Sequence, residues 1–377
     1  MKKLVTLWQR PSSDGRSFTY YMIYFDSNGK RKQKSLGHAD KRKALKQCSE
    51  LENELTNNYV GPESMRLSQL IGDYTKRTKH QVRESTLREA KMAMRDFIKC
   101  IGDIDYLNVK HQDGEYFLQH FLEKGNSPAT VGKKLRHLKR IFQLALERRQ
   151  LEENPLHFIK QPKVAKKLVR ILSPQDCETL IKAATQYQAT KNYLQWELLI
   201  KLALCTAMRR GELLNITWRD IDFDKKTIEV SPKPDSDFTW LWRIKDTDRR
   251  KLPLTDQVVT MLAELQSIVS EGYPYVFVPS ERYDYIRNVR KSGKWFEEHG
   301  KCPINNFTRQ FQNILKMAGL KDFEFHDLRR TCLSRWLERG LSEFEVMNLA
   351  GHSTFETTRK FYLAVNNNLV DRARATF

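Results

Sequence analysis

The sequence predicts a multi-domain, mainly α-helical chain. A small N-terminal β-sheet with one helix comes first, then an all-helical domain, then a larger, mainly helical domain holding a small β-sheet. Three observations predict this. Two hairpin turn signals, Asp14-Gly15 and Asn28-Gly29, bracket a run of strand formers near the start. From residue 66 to about 158 the apolar residues recur with helical period. Prolines at 62, 155 and 162 mark joints between these patterns. A length of 377 residues suits two or three domains.

The expected module boundaries are residues 1–62, 63–160, a linker over 161–172, and 173–377. In the first module the run Ser17–Phe25 reads as a strand, and the strand after Asn28-Gly29 begins Lys30-Arg31-Lys32-Gln33-Lys34. Such a basic strand suits a DNA groove. It suits equally an exposed edge that repels other strands. Ala44, Cys48, Leu51 and Leu55 then follow at helical spacing.

In the second module the clearest helix starts at Ser127-Pro128, a capping serine followed by proline in the first helical position. Its apolar stripe is Val131, Leu135, Leu138, Phe142 and Ala145. The remaining surface carries Lys133, Lys134, Arg136, Lys139 and Arg140. These cations read either as a DNA-facing surface or as a solvated one. The linker is basic and extended, with Lys163, Lys166 and Lys167 suited to tracking a phosphate backbone. Ser173-Pro174-Gln175-Asp176 opens the third module with a capping-box pattern. Its strands are expected near Thr227–Val230, Phe238–Lys245 and Arg250–Leu254.

Net charge narrows the partner. A formal charge of +20 points to a polyanion, and nucleic acid is the usual one. The six cysteines show no CxxC or zinc spacing, so the sequence predicts reduced thiols and no metal or other cofactor. The N-terminus has no apolar signal region, and no run of 18 apolar residues occurs. The expectation is a cytoplasmic, nucleoid-associated protein with no membrane contact.

The chemistry concentrates in three places. His326 and Arg329 are three positions apart, hence on one face of a helix. An imidazole beside a guanidinium suits a phosphate: one moves protons, the other holds oxygens in a fork. Gly351-His352-Ser353 follows, with Tyr362 ten positions past its histidine. Earlier, the apolar run Leu198–Leu204 leads into Arg209, which needs an anionic partner. Glu212 is that partner, as a structural ion pair or as a group that aims Arg209 at a ligand.

These stretches resemble the signatures of the tyrosine recombinases, the phage-type integrases. Thr206-Ala207-Met208-Arg209-Arg210-Gly211-Glu212-Leu213 with Trp218-Arg219-Asp220-Ile221 is similar to the first signature. Phe325-His326-Asp327-Leu328-Arg329-Arg330-Thr331 is similar to the second. Leu349-Ala350-Gly351-His352-Ser353 through Thr357-Thr358-Arg359-Lys360-Phe361-Tyr362 is similar to the third. The resemblance implies an arm-type DNA-binding module, a SAM-like core-binding domain and a catalytic domain, in that order. It implies Arg209 and Arg329 as phosphate clamps, His326 and His352 as the two histidines, Tyr362 as nucleophile and Glu212 as support. The segment Arg243–Leu254 resembles the hairpin that carries the catalytic lysine. Lys245, eight residues before Pro253, is the lysine in register, and Lys251 is its rival. Arg210 and Arg330, each next to a clamp arginine, join the DNA-binding set.

The implied activity is site-specific DNA recombination through a 3′-phosphotyrosyl intermediate, serving integration or excision of a mobile element. The implied assembly is a homo-tetramer on two double-stranded recombination sites, with accessory DNA-bending proteins as further partners. A type IB topoisomerase-like strand transferase and a non-catalytic architectural DNA-binding protein stay open as alternatives at this level. Two departures from the family pattern stand out. Ala207 occupies a position where glycine is common, and the His352–Tyr362 interval is one residue longer than the commoner one. The tail from Leu363 to Phe377 is expected to dock on a neighbouring subunit or on its own domain.

Overall fold

The structure, a computed structural model, describes residues 4–12, 17–25, 31–57, 64–164, 170–191, 193–245, 249–295, 299–359 and 374. The chain packs into two compact units, residues 1–164 and 165–377.

The first unit opens with an antiparallel meander of β1 (Thr6–Pro11), β2 (Phe18–Phe25) and β3 (Arg31–Ser35). Register pairs Leu7 with Met22 and Met22 with Lys34. Alternation along β2 puts Tyr20 and Met22 inside. Helix α1 (Lys41–Asn57) begins where Asp40 accepts the Arg42 and Lys43 amides at 2.8 and 3.1 Å. It packs Cys48 onto Val5 and Met22, with Leu51 and Leu55 alongside. Every residue of β3 is exposed. Both turn signals, Asp14-Gly15 and Asn28-Gly29, lie outside the described residues.

The rest of this unit is helical: α2 (Leu67–Thr78), α3 (Glu84–Ile101), α4 (His111–Glu123) and α5 (Pro128–Glu147). The core is aromatic at its centre. Phe97 meets Phe117 and Phe142 edge-on, with ring centroids 5.5 and 6.5 Å apart. Ser127 caps α5 through the Thr130 amide, and the whole predicted stripe of α5 is buried.

Two of the α5 cations, Lys134 and Lys139, turn inward to their own domain, and Lys133, Arg136 and Arg140 stay exposed. Lys139 donates to the carbonyls of His157 and Ile159 at 2.8 and 2.6 Å. Asn154 returns the contact by donating to the Lys139 carbonyl. Lys134 pairs with Asp96 at 2.9 Å and lies 4.1 Å above the Phe121 ring. Lys133 pairs with Glu89, and Arg140 with Glu147. Arg136 and Lys163 are exposed. Lys166 and Lys167 lie outside the described residues.

The second unit runs α6 (Pro174–Thr190), α7 (Trp196–Thr206), α8 (Arg210–Leu213), β4 (Ile221–Asp222), β5 (Thr227–Val230), β6 (Arg250–Pro253), α9 (Asp256–Ile268), α10 (Ser280–Lys291), α11 (Phe307–Met317), α12 (Phe325–Glu338) and α13 (Glu343–Ala350). Helix α7 is apolar nearly all round and sits in the core. The sheet is antiparallel in the order β4-β5-β6, with Ile228 facing Leu252.

The strand expected over Phe238–Lys245 is not there, and β4 takes the third place instead. The segment shows one isolated bridge, Lys233 to Trp242. Its aromatic residues suggested a strand but serve as anchors. Trp240 is fully buried and stacks on Tyr275 at 4.0 Å. Its indole N–H donates to Asn215 at 2.7 Å and its backbone amide to the Tyr275 hydroxyl at 3.1 Å. With the amide so engaged and Pro232 and Pro234 nearby, no ladder forms. The six cysteines are free thiols. Among the described residues no helix is long and apolar enough to cross a membrane.

Lys139 is thus a tether of its domain. Lys139→Met should lower stability by about 1 kcal/mol, the cost of one part-buried and one exposed carbonyl losing their donor. A denaturant midpoint equal to that of the unchanged protein would return Lys139 to the surface cations.

Candidate active site

The site grows from the end of α7. Ala207 follows it with φ 52° and ψ 23°, in the left-handed region. Glycine takes that conformation at no cost, which explains the residue common at this place. The turn directs the Ala207 carbonyl to Arg329, which donates to it. Arg209 then returns to extended backbone and precedes α8, so Glu212 is one turn further on.

Glu212 is only 3% exposed, yet it collects most of the local charge. Its carboxylate accepts the Arg209 amide at 2.8 Å and the Arg209 guanidinium at 3.0 Å. It also accepts a two-pronged contact from Arg250 at 3.2 and 2.6 Å. Burial alone would raise its pKa. Arg250 and then Arg209 reverse that and hold it below the usual carboxylate value.

Three arginines converge on the last carbonyls of α13. Arg250 donates to Leu349 at 2.8 Å, Arg329 to Ala350 at 2.7 Å, and Arg209 to Gly351 at 2.8 Å. These carbonyls have no partner within the helix and carry the negative end of its dipole. Arg329 is 2% exposed and desolvated, and the nearby Arg209 charge adds to the cost of its own. Its guanidinium stays charged all the same. Three guanidiniums against one carboxylate leave the site net positive, as a phosphate requires.

Ser342 caps α13 through the Glu345 amide, Leu341 and Val346 pack at the same end, and Gly351 closes it with φ 64°. His352 follows, and its Nδ1 lies 2.9 Å from the hydroxyl of the buried Thr358. Desolvation and the charges of Arg329, Arg209 and Arg250 push its pKa down to about 3. His326 stands on the first turn of α12, one turn from Arg329; the residue keeps access to solvent while protein crowds around its ring. Desolvation, then Arg329 and Arg330, push its pKa down to about 4. Both imidazoles are neutral at pH 7 and able to accept a proton or a hydrogen bond.

Arg209, Glu212, Arg329, His352 and His326 therefore gather in one place. Lys245 is exposed, just before residues 246–248, which lie outside the described residues together with Tyr362 and the tail from Leu363 except Arg374. Arg210 is exposed, donates to Thr308 at 3.2 Å and lies above the Phe307 ring. Arg330 pairs with Asp327, whose other oxygen accepts the Glu324 amide. Among the described residues no cluster of metal-ligating side chains occurs.

Sequence reasoning missed two members. Arg250 stood inside the quoted hairpin but was given no role there. Thr358 had no signal beyond its place in the third signature.

The arrangement is a cluster of three guanidiniums around one buried carboxylate with two neutral imidazoles beside it, a chemistry suited to a phosphodiester. Residues 170–368 match the phage integrase family, and residues 66–163 match the phage integrase SAM-like domain. The chain belongs to the phage integrase family, the tyrosine recombinases, and is a site-specific DNA recombinase that cuts and rejoins strands. It is 25% identical over 399 residues to the integrase of Salmonella phage P22, covering 95% of this chain and 92% of that one. It is 27% identical over 267 residues to a XerC-like tyrosine recombinase of Caldanaerobacter subterraneus, covering 64% of each. The fold resembles that of a lambda integrase dimer bound to a COC′ core site, with TM-score 0.57 and 17% identity over 94% of this chain and 93% of that one. It also resembles the Tn1549 transposon integrase in complex with transposon right end DNA, with TM-score 0.62 and 19% identity over 82% and 100%.

Two outcomes follow. Arg250→Met should cost about 3 kcal/mol, near the low end for breaking a buried pair because Arg209 still faces Glu212; a denaturation curve measures it. The histidines predict a pH effect. Their folded pKa values lie below the unfolded value near 6.5, so their contribution is full above that pH and is lost as pH falls toward 4. Unfolding should take up protons in that window, and His326→Asn with His352→Asn should flatten the profile. A midpoint that rises on acidification would contradict it.

Proposed function

We propose that Tyr362 attacks the scissile phosphorus and forms a 3′-phosphotyrosyl bond, as the P–O5′ bond breaks and the electron pair leaves on O5′. The tyrosine proton passes to neutral His326. Lys245 gives a proton to the departing oxygen, with Lys251 as the rival in the same segment. Arg209 and Arg329 stabilise the charge on the non-bridging oxygens, and His352 hydrogen-bonds one of them. The bond energy is kept in the covalent link, so rejoining needs neither ATP nor a metal. The observation that carries this reading is the convergence of Arg209 and Arg329 on the C-terminal turn of α13, directly before His352.

The assembly belongs to the same proposal. Four protomers bind two recombination sites, with DNA-bending proteins as partners and integration or excision of a mobile element as the outcome. The wholly exposed strand Arg31–Ser35 supports a DNA-binding role for the N-terminal module at distal arm sites. Lys133, Arg136, Arg140, Lys163 and Arg210 are exposed and suited to phosphates. Lys166, Lys167 and Arg330 complete the set.

Tyr362→Phe should leave DNA binding intact and abolish the covalent adduct, because only the nucleophilic oxygen is removed. Nicked, end-labelled site DNA run on a denaturing gel measures this. An adduct band from the Phe variant would move the nucleophile elsewhere.

A further inference from the structure

Strands β5 and β6 are hairpin partners whose last pair is Val230 and Arg250. Residues 231–249 join them, far more than the two to five of an ordinary hairpin loop. The join is fixed near its middle. Lys233 and Trp242 exchange both backbone hydrogen bonds, at 2.9 and 3.0 Å. Beyond that bridge Trp240 is wedged against Tyr275.

The Lys233 side chain is itself buried, 6% exposed. Its ammonium donates to Asp220 Oδ1 at 2.7 Å, to the Ser231 hydroxyl at 2.9 Å and to the Ser231 carbonyl at 2.8 Å. All three of its protons are engaged. The other oxygen of Asp220 accepts the Thr217 amide and hydroxyl, each at 2.7 Å. Asp220 belongs to the first signature, so the bridge is bolted to the segment that follows Arg209 and Glu212.

Lys245 lies three residues past Trp242, a stretch that spans at most ~10 Å. On its other side Arg250 is fixed by Glu212 and Leu349. We infer that Lys233, through its ion pair with Asp220 and its bridge to Trp242, is a positioning residue for Lys245. This rests on reading Lys245 as the proton donor. Lys233 touches no reacting atom. It limits where the lysine can reach, and a small displacement of a proton donor is costly in rate.

The test uses full-length protein and nicked site DNA, with oxygen or sulfur bridging phosphorus to the 5′ carbon. Sulfur leaves as a thiolate and needs no proton. Lys233→Met should slow oxygen cleavage about 10–100-fold, as expected for a misplaced group. Its sulfur cleavage should stay within about threefold of the unchanged protein, since general acid catalysis is no longer called on. Lys233→Arg should restore part of the oxygen rate. Lys233→Met with Asp220→Asn, which removes both buried charges, carries the same expectation if the single variant does not fold.

Equal slowing on both substrates, or no slowing on oxygen, overturns the inference. Lys245→Ala separates the two readings. If sulfur rescues it while Lys233→Met shows no sulfur-selective defect, positioning fails and the donor stands. If sulfur rescues Lys233→Met but not Lys245→Ala, Lys233 is itself the donor and both readings are replaced.

Discussion

The buried carboxylate of Glu212 is the constraint on which the active site rests. A carboxylate at 3% exposure is tolerable only if cations and donors surround it. Arg209 and Arg250 supply them, and in doing so are held in place themselves. Both arginines then reach the same helix end, where Arg329 joins them from α12. One anion thereby fixes two cations, and the carbonyls of Ala207 and Ala350 hold the third, so that three charges that would otherwise repel one another stay together. Their remaining positive charge is what a phosphate would neutralise.

That arrangement also sets the protonation of the histidines. An imidazolium beside several guanidiniums is disfavoured, so His326 and His352 stay neutral. A base is thus available at neutral pH. When a phosphate sits among the arginines, their field is partly cancelled and proton uptake by a histidine becomes easier. Under the proposed function, substrate binding and proton transfer would be coupled through the same charges.

Much of this was legible because the chemistry sits in short, local patterns. His326 and Arg329 share a helix face by spacing alone. The N-terminal meander followed from turn signals and a run of strand formers, and the buried stripe of α5 from helical period. What was not legible depended on distant partners. Arg250 meets Glu212 across 38 positions, and nothing local distinguishes it from Arg249. Lys139 read as a surface cation because the two carbonyls it holds lie beyond the end of its helix. Residues 238–245 misled for the opposite reason. Their aromatic residues favour strands by propensity, but burial against Tyr275 and Asn215 outweighed it.

The left-handed turn at Ala207 bears on how this site can vary. Its carbonyl reaches Arg329 only because the backbone turns there, so the hydrogen bond depends on a conformation rather than on a side chain. Substitution at 207 is filtered by backbone geometry: glycine and alanine pass, whereas branched residues would force the turn open and release the guanidinium. The residue makes no chemical contribution of its own, yet its repertoire is narrower than that of many surface positions that carry charge. A gene drifting freely over its basic surface would still be held to small residues at this one silent place.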